Sequence, residues 1–171
     1  MPTREDRRFP AALAAALTVR DGVDFEPFEA FLSADDTTEW LRAWTGDDTL
    51  DGDRFRVFGR DGTGGYAALW LVHPGREQAE QPVVFLGSEG ETGVVARDLG
   101  AFLWLLADGL GPCEAVPPYG PPGPDAGRPD PHLSAVAEHH APGRRAPAAA
   151  IVAEAAAEFP YFEELIAGLC R

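Results

Sequence analysis

The stretch from Phe55 to Val72 restricts how this chain can fold more than any other part of it. It reads Phe-Arg-Val-Phe-Gly-Arg-Asp-Gly-Thr-Gly-Gly-Tyr-Ala-Ala-Leu-Trp-Leu-Val. Phe55 and Val57 alternate with Arg56, the period of a strand with one buried face. Gly59, Asp61, Gly62, Gly64 and Gly65 follow, and then an apolar run from Tyr66 to Val72. Glycine reverses a chain without steric penalty, so the pattern predicts an antiparallel hairpin with a glycine-rich connection. That connection exceeds a two-residue turn, which predicts a bulge or an ordered loop.

The remaining segments supply helices to cover such a sheet. Pro10 suits a first helical turn, the Ala/Leu-rich run through Val19 propagates it, and Gly22 should end it. Phe25, Phe28, Phe31 and Leu32 predict a short helix starting near Pro27. Ser33 or Asp35 can cap the next helix, with Asp35, Asp36 and Glu39 near its positive end. Trp40, Leu41 and Trp44 share one face of it and are assigned to the core. Pro74-Gly75 marks a turn. Pro82 then opens a continuous apolar run, Val83 to Leu86, which suits a strand covered on both faces.

Gly87 to Gly93 forms a second glycine-rich turn, and Thr92 is placed to cap a helix from Val94 to Ala107. Its stripe of Val95, Leu99, Phe102, Leu103 and Leu106, broadened by Trp104 and Leu105, predicts the best-buried helix of the chain. Asp108-Gly109 closes it. Prolines and glycines crowd Pro117 to Pro131, so residues 117–147 read as either an ordered surface excursion or a flexible linker. Ala148 to Leu169 is helical, with Phe159, Phe162, Leu165, Ile166 and Leu169 on one stripe. Pro160 should kink it or start a second helix, and the stripe should dock on the sheet.

A chain of 171 residues fits one domain, and a domain of that size buries roughly 70% of its unfolded surface. All fourteen basic side chains are arginine, against 28 carboxylates, giving a net charge of −14. Phosphate backbones and anionic membrane surfaces would repel such a chain, which argues against nucleic-acid and membrane partners. A basic protein partner is the complementary expectation. Arg4, Arg7 and Arg8 precede the apolar run from Pro10, as in a signal peptide. Glu5 and Asp6 dilute that basic region, and Arg20-Asp21 stands where small residues should, so an ordinary helix is expected. No apolar run approaches the ~20 residues of a membrane span, so a soluble, cytoplasmic protein is expected.

Residues able to do chemistry are present without a matching arrangement. The hairpin glycines join two strands rather than opening a helix, and no phosphate-loop lysine exists, so no cofactor is expected. None of Ser33, Ser88 and Ser134 sits in a nucleophile elbow. His132, His139, His140 and Cys113 match no zinc spacing, and Cys113 and Cys170 read as reduced thiols. The loop from Thr45 to Asp53 carries Asp47, Asp48, Asp51 and Asp53. Taken from Asp47 it lacks the mid-loop glycine and terminal glutamate of a calcium loop, so no metal is expected. Asp61 is assigned to bonding backbone N–H groups of its own turn. Glu89 and Glu91 are assigned to the positive end of the following helix.

Four pieces in a fixed order resemble the SUKH superfamily, which includes bacterial immunity proteins against polymorphic toxins and a yeast cell-wall regulator. They are Asp24-Phe25-Glu26-Pro27-Phe28; Trp40-Leu41-Arg42-Ala43-Trp44-Thr45-Gly46; the hairpin Phe58 to Tyr66; and Pro82 to Gly87 with Ser88-Glu89-Gly90-Glu91 and then Phe102 to Gly109. The resemblance spans about residues 23–115 and implies a single α+β domain. A mainly antiparallel sheet with the glycine-rich hairpin would be packed by helices from the N-terminal, middle and C-terminal parts. It also implies protein binding without catalysis, by an immunity-type protein that neutralises a toxin. A regulatory interaction module unrelated to toxins is the alternative. The acidic side chains Asp35, Asp36, Asp47, Asp48, Asp51, Asp53, Glu89 and Glu91 are the candidate contacts for a basic toxin domain.

Overall fold

The computed structural model describes residues 7–18 and 25–170. Among these the elements run α1 (Ala11–Leu17), β1 (Glu26–Pro27), α2 (Ala34–Thr45), β2 (Phe55–Arg60), β3 (Tyr66–Trp70), β4 (Val83–Leu86), β5 (Thr92–Ala96), α3 (Leu99–Ala107), α4 (Pro131–His140), α5 (Ala148–Glu158) and α6 (Phe162–Leu169). The strands form one antiparallel sheet in the order β1-β2-β3-β4-β5. The fold is α+β, as the segment pattern predicts. Expectations placed on Arg4, on Val19 and on Gly22 to Asp24 lie outside the described residues.

Each face of the sheet carries its own core. Ala67, Leu69, Val83, Phe85 and Val95 face α1, α3, α4 and the start of α5. Ala68, Trp70, Val84, Leu86 and Val94 face α2, α6 and the end of α5. Two covered faces explain why β3 and β4 read as unbroken apolar runs, since neither parity of side chain meets water. Bulges adjust this alternation. Phe58 is the extra residue between Val57 and Gly59 in the pairing with β3. Strand alternation already places it opposite Phe55 and Val57, where it meets Phe102 with ring centroids 5.6 Å apart, and the bulge sets Gly59 beside it against Ala67. Gly59 must be small there, because a Cβ would overlap the Phe25 ring and come 2.8 Å from the Glu26 carbonyl.

Helix α3 is the best-buried helix, with eight of its nine residues inside. Apolar residues all round suit a helix enclosed by a sheet on one side and helices on the other. Trp104 keeps its polar end satisfied by donating from Nε1 to the Ala141 carbonyl at 3.0 Å. At the edge of the sheet, α5 lies across β5 and joins the two cores: Ile151 and Val152 belong to one, Ala155 to the other. The helical tail breaks before Phe162, near Pro160, and α6 docks on the sheet with Phe162 4.9 Å from Trp70.

Two expectations are corrected, and one open alternative is resolved. The aromatic stretch near Pro27 is an extended edge rather than a helix: β1 pairs with β2, and the Phe28 and Leu32 N–H groups donate to the Phe58 and Val57 carbonyls. A residue before proline is driven to extended conformation, and the phenylalanines then alternate between the two cores. Thr92 does not cap a helix. Thr92–Ala96 pairs with β4, as its β-branched residues favour, and Asp98 caps α3 by accepting from the Ala101 N–H. The proline-rich excursion is ordered and contains α4, with the Asp130 N–H donating to the Ala107 carbonyl at 2.8 Å.

Candidate functional site

The acidic residues singled out by sequence separate into distinct settings. Asp35 and Asp36 occupy the first turn of α2, where Ser33 Oγ accepts from the Asp36 N–H. Asp35 and Asp48 come together with Thr38, Glu39 and Arg42 around a shallow depression of about 460 Å³. Asp47 does not reach that surface. It is 8% exposed, and its Oδ1 accepts from the Thr49 N–H and hydroxyl at 2.9 and 2.6 Å. Asp47 is therefore corrected from contact candidate to the residue that closes its own turn. Asp51 accepts from the Asp53 N–H, and both are exposed outside the depression.

Glu89 and Glu91 lie in the β4–β5 turn rather than at a helix N-terminus, because the next residues form a strand. Glu91 is half-buried and accepts from the Glu89 N–H at 3.1 Å. Glu89 is exposed and lines a groove of about 550 Å³ bounded by the end of α2, this turn and α6. Trp44 walls it on one side and Glu163 stands on another, with Ile166 and Ala167 as apolar lining. Trp44 is held in place by its Nε1–H, which donates to the Gly87 carbonyl at 2.8 Å. Behind it, Trp40 stacks on Trp44 at 5.6 Å and lies tilted against Tyr66 at 4.5 Å, all three half-buried.

This geometry suits a cation. Two carboxylates from separate elements line the same groove as an indole, and none of the ion pairs among the described residues uses Glu89 or Glu163. A guanidinium or ammonium group placed there gains from the carboxylates and, over the indole, from cation–π attraction of about 0.5–1 kcal/mol at an exposed site. Glu163 and the wall role of Trp44 escape sequence reasoning. Glu163 follows Phe162 on a stripe read for its apolar members, and Trp44 at helical spacing reads as core. The available signal was that α6 is acidic immediately beside its buried face.

Other candidate chemistry is dispersed. His132, His139 and His140 are exposed on α4. Among the described residues no group of three or more His, Cys, Asp or Glu side chains is placed to hold a metal ion. Cys113 sits against Asp61. Burial first, and then the hydrogen bond to the Asp61 carboxylate, push its thiol up to about 12. Ser88 is exposed on the groove rim. No described helix is long and apolar enough to cross a membrane. Compared with family models, curated proteins and solved structures, the chain matches none.

Proposed function

We propose that this chain is a non-enzymatic protein-binding module of the immunity type, acting in the cytoplasm to neutralise a toxin by docking on its basic domain. The carrying observation is the pair Glu89 and Glu163, unpaired with any described cation, across a groove walled by Trp44. The net charge of −14 supports the same reading, because long-range attraction accelerates encounter with a basic surface. The resemblance of the aromatic, hairpin and turn segments to the SUKH superfamily, which includes many immunity proteins, supports a toxin as the class of partner. Bound over a toxin's substrate groove, the acidic face would exclude the substrate.

The test is a growth assay in which a toxin domain encoded beside this gene is expressed with and without the chain, together with stopped-flow association of the purified pair. The chain should restore growth. Glu89→Arg with Glu163→Arg should slow association at least tenfold at low salt, with the difference shrinking as salt screens the charges. No rescue by the chain would overturn the immunity reading. An unchanged on-rate in the double variant would remove this groove from the interface.

A further inference from the structure

A second groove, on the far side of Glu163, has a different character. It holds about 330 Å³ between β5, the proline-rich segment and the α5–α6 corner, and its lining is apolar: Val94, Val116, Pro121, Phe159 and Phe162 among others. Glu163 is the carboxylate in its wall, and the same residue lines the acidic groove beside Trp44. The two depressions therefore meet along the first turn of α6.

Exposed aromatic side chains stand next in sequence to residues that line this groove. Among the described residues the large apolar side chains left in water are Tyr119 at 63%, Tyr161 at 73% and Leu165 at 43%. Tyr119 lies between the groove residues Pro117 and Pro121, and Tyr161 between Pro160 and Phe162. Amphipathic rings beside an apolar pocket are the usual anchors of protein interfaces.

The groove is also preformed. The Tyr119 and Gly120 N–H groups donate to the Val116 carbonyl at 3.0 and 2.7 Å. Proline rings at 117, 118, 121 and 122 restrict the backbone further. Gly120 approaches so closely that a Cβ would lie 2.5 Å from the Ala115 carbonyl carbon. A wall held this way loses little conformational freedom when a partner docks.

We infer that the apolar groove and the acidic groove together receive one segment of a basic protein partner, an apolar side chain entering beside Val116 and Phe162 and an adjacent arginine or lysine meeting Glu163 and Glu89. The inference deepens the proposed binding function and rests on it. Charge complementarity selects this occupant. Of the carboxylates and cations around the joined grooves, those that line them are Glu89 and Glu163, with no basic side chain. An acidic or purely apolar segment would leave those carboxylates desolvated without a counter-charge.

The test uses three fluorescein-labelled twelve-residue peptides, read by anisotropy. One carries a central leucine flanked by arginines in a Gly/Ser background. In the second the leucine is serine, and in the third the arginines are serine. The Leu/Arg peptide should bind at least tenfold more tightly than either control. Ala156 is an exposed alanine of α5 that lines the apolar groove. Ala156→Gln, a helix-compatible change that narrows the groove without altering charge, should erase the advantage of leucine over serine. Glu163→Gln should weaken both arginine peptides at least threefold, and circular dichroism confirms that each variant folds. Equal binding of the Leu/Arg and Ser/Arg peptides would overturn the apolar anchor and leave the acidic-face reading standing. Equal binding of the Leu/Arg and Leu/Ser peptides would overturn the basic partner. Binding of none would overturn the combined site, while the toxin growth assay judges the proposed function separately.

Discussion

Two turns of this protein share a composition of glycine and carboxylate yet do opposite things. In the β2–β3 turn Asp61 is 3% exposed. Its Oδ1 accepts from the Thr63 N–H at 3.1 Å, the Gly65 N–H at 2.8 Å and the Thr63 hydroxyl at 2.8 Å. In the β4–β5 turn the closing contact is made by Glu91, and Glu89 is left outside on the groove rim. A carboxylate whose lone pairs are taken up by its own turn is structural. One held at the rim without a described counter-charge is available to a partner. The comparison teaches that acidic turn residues divide by where their hydrogen bonds go, and not by their spacing in sequence.

The largest effect expected from this difference is on stability. Asp61→Ala removes the acceptor for two backbone N–H groups and should destabilise the protein by about 3 kcal/mol, measured by urea unfolding. A loss below ~1 kcal/mol would erase the distinction between the turns. The positive-φ glycines sharpen it from the other side. Gly64 and Gly90 have φ of 92° and 94°, with open space where a Cβ would stand. Gly64→Ala and Gly90→Ala should therefore each cost about 1–2 kcal/mol from backbone strain. Unequal losses would mean that the turns differ in backbone as well as in side chains.

Glu89→Ala should change unfolding free energy by less than ~0.5 kcal/mol, as an exposed substitution does, while weakening binding to a basic partner. The effect on stability that is smallest at neutral pH concerns the thiols. Cys113 has a thiol raised from 9.0 to about 12, and Cys170 is exposed. At pH 8 a thiol reagent should modify Cys170 fast and Cys113 slowly, and Asp61→Ala should speed Cys113. Because the folded state retains this proton where the unfolded state loses it, stability should fall as pH rises between about 9 and 12. Equal modification rates in the native protein would show that Cys113 is not held against Asp61.

Much of this was legible in the chain. Phe55–Val72 announces its hairpin, Ser33 its cap, Val83–Leu86 its two covered faces, and Asp61 its turn. Misreadings arose where one pattern fits two partners. Phe25, Phe28 and Phe31 have a spacing that serves a helix, or an extended edge whose rings reach both cores. Val94 and Val95 extend the stripe of α3 until β4 claims them as a strand. His132 to His140 lacks a strong apolar stripe, so α4 is hidden until α3 offers it a surface.

The sequence by itself determined the antiparallel α+β architecture, because glycine positions and apolar periods are local and act through the backbone. It also determined the acidic charge. Only the tertiary structure decided where the carboxylates stand: Asp47 is turned inward, and Glu163, from the last helix, lines one groove with Glu89 and Trp44. The physical reason is that a site built from α2, a β-turn and α6 has no sequence period. It exists only once the two cores have packed and set the helices side by side on the sheet.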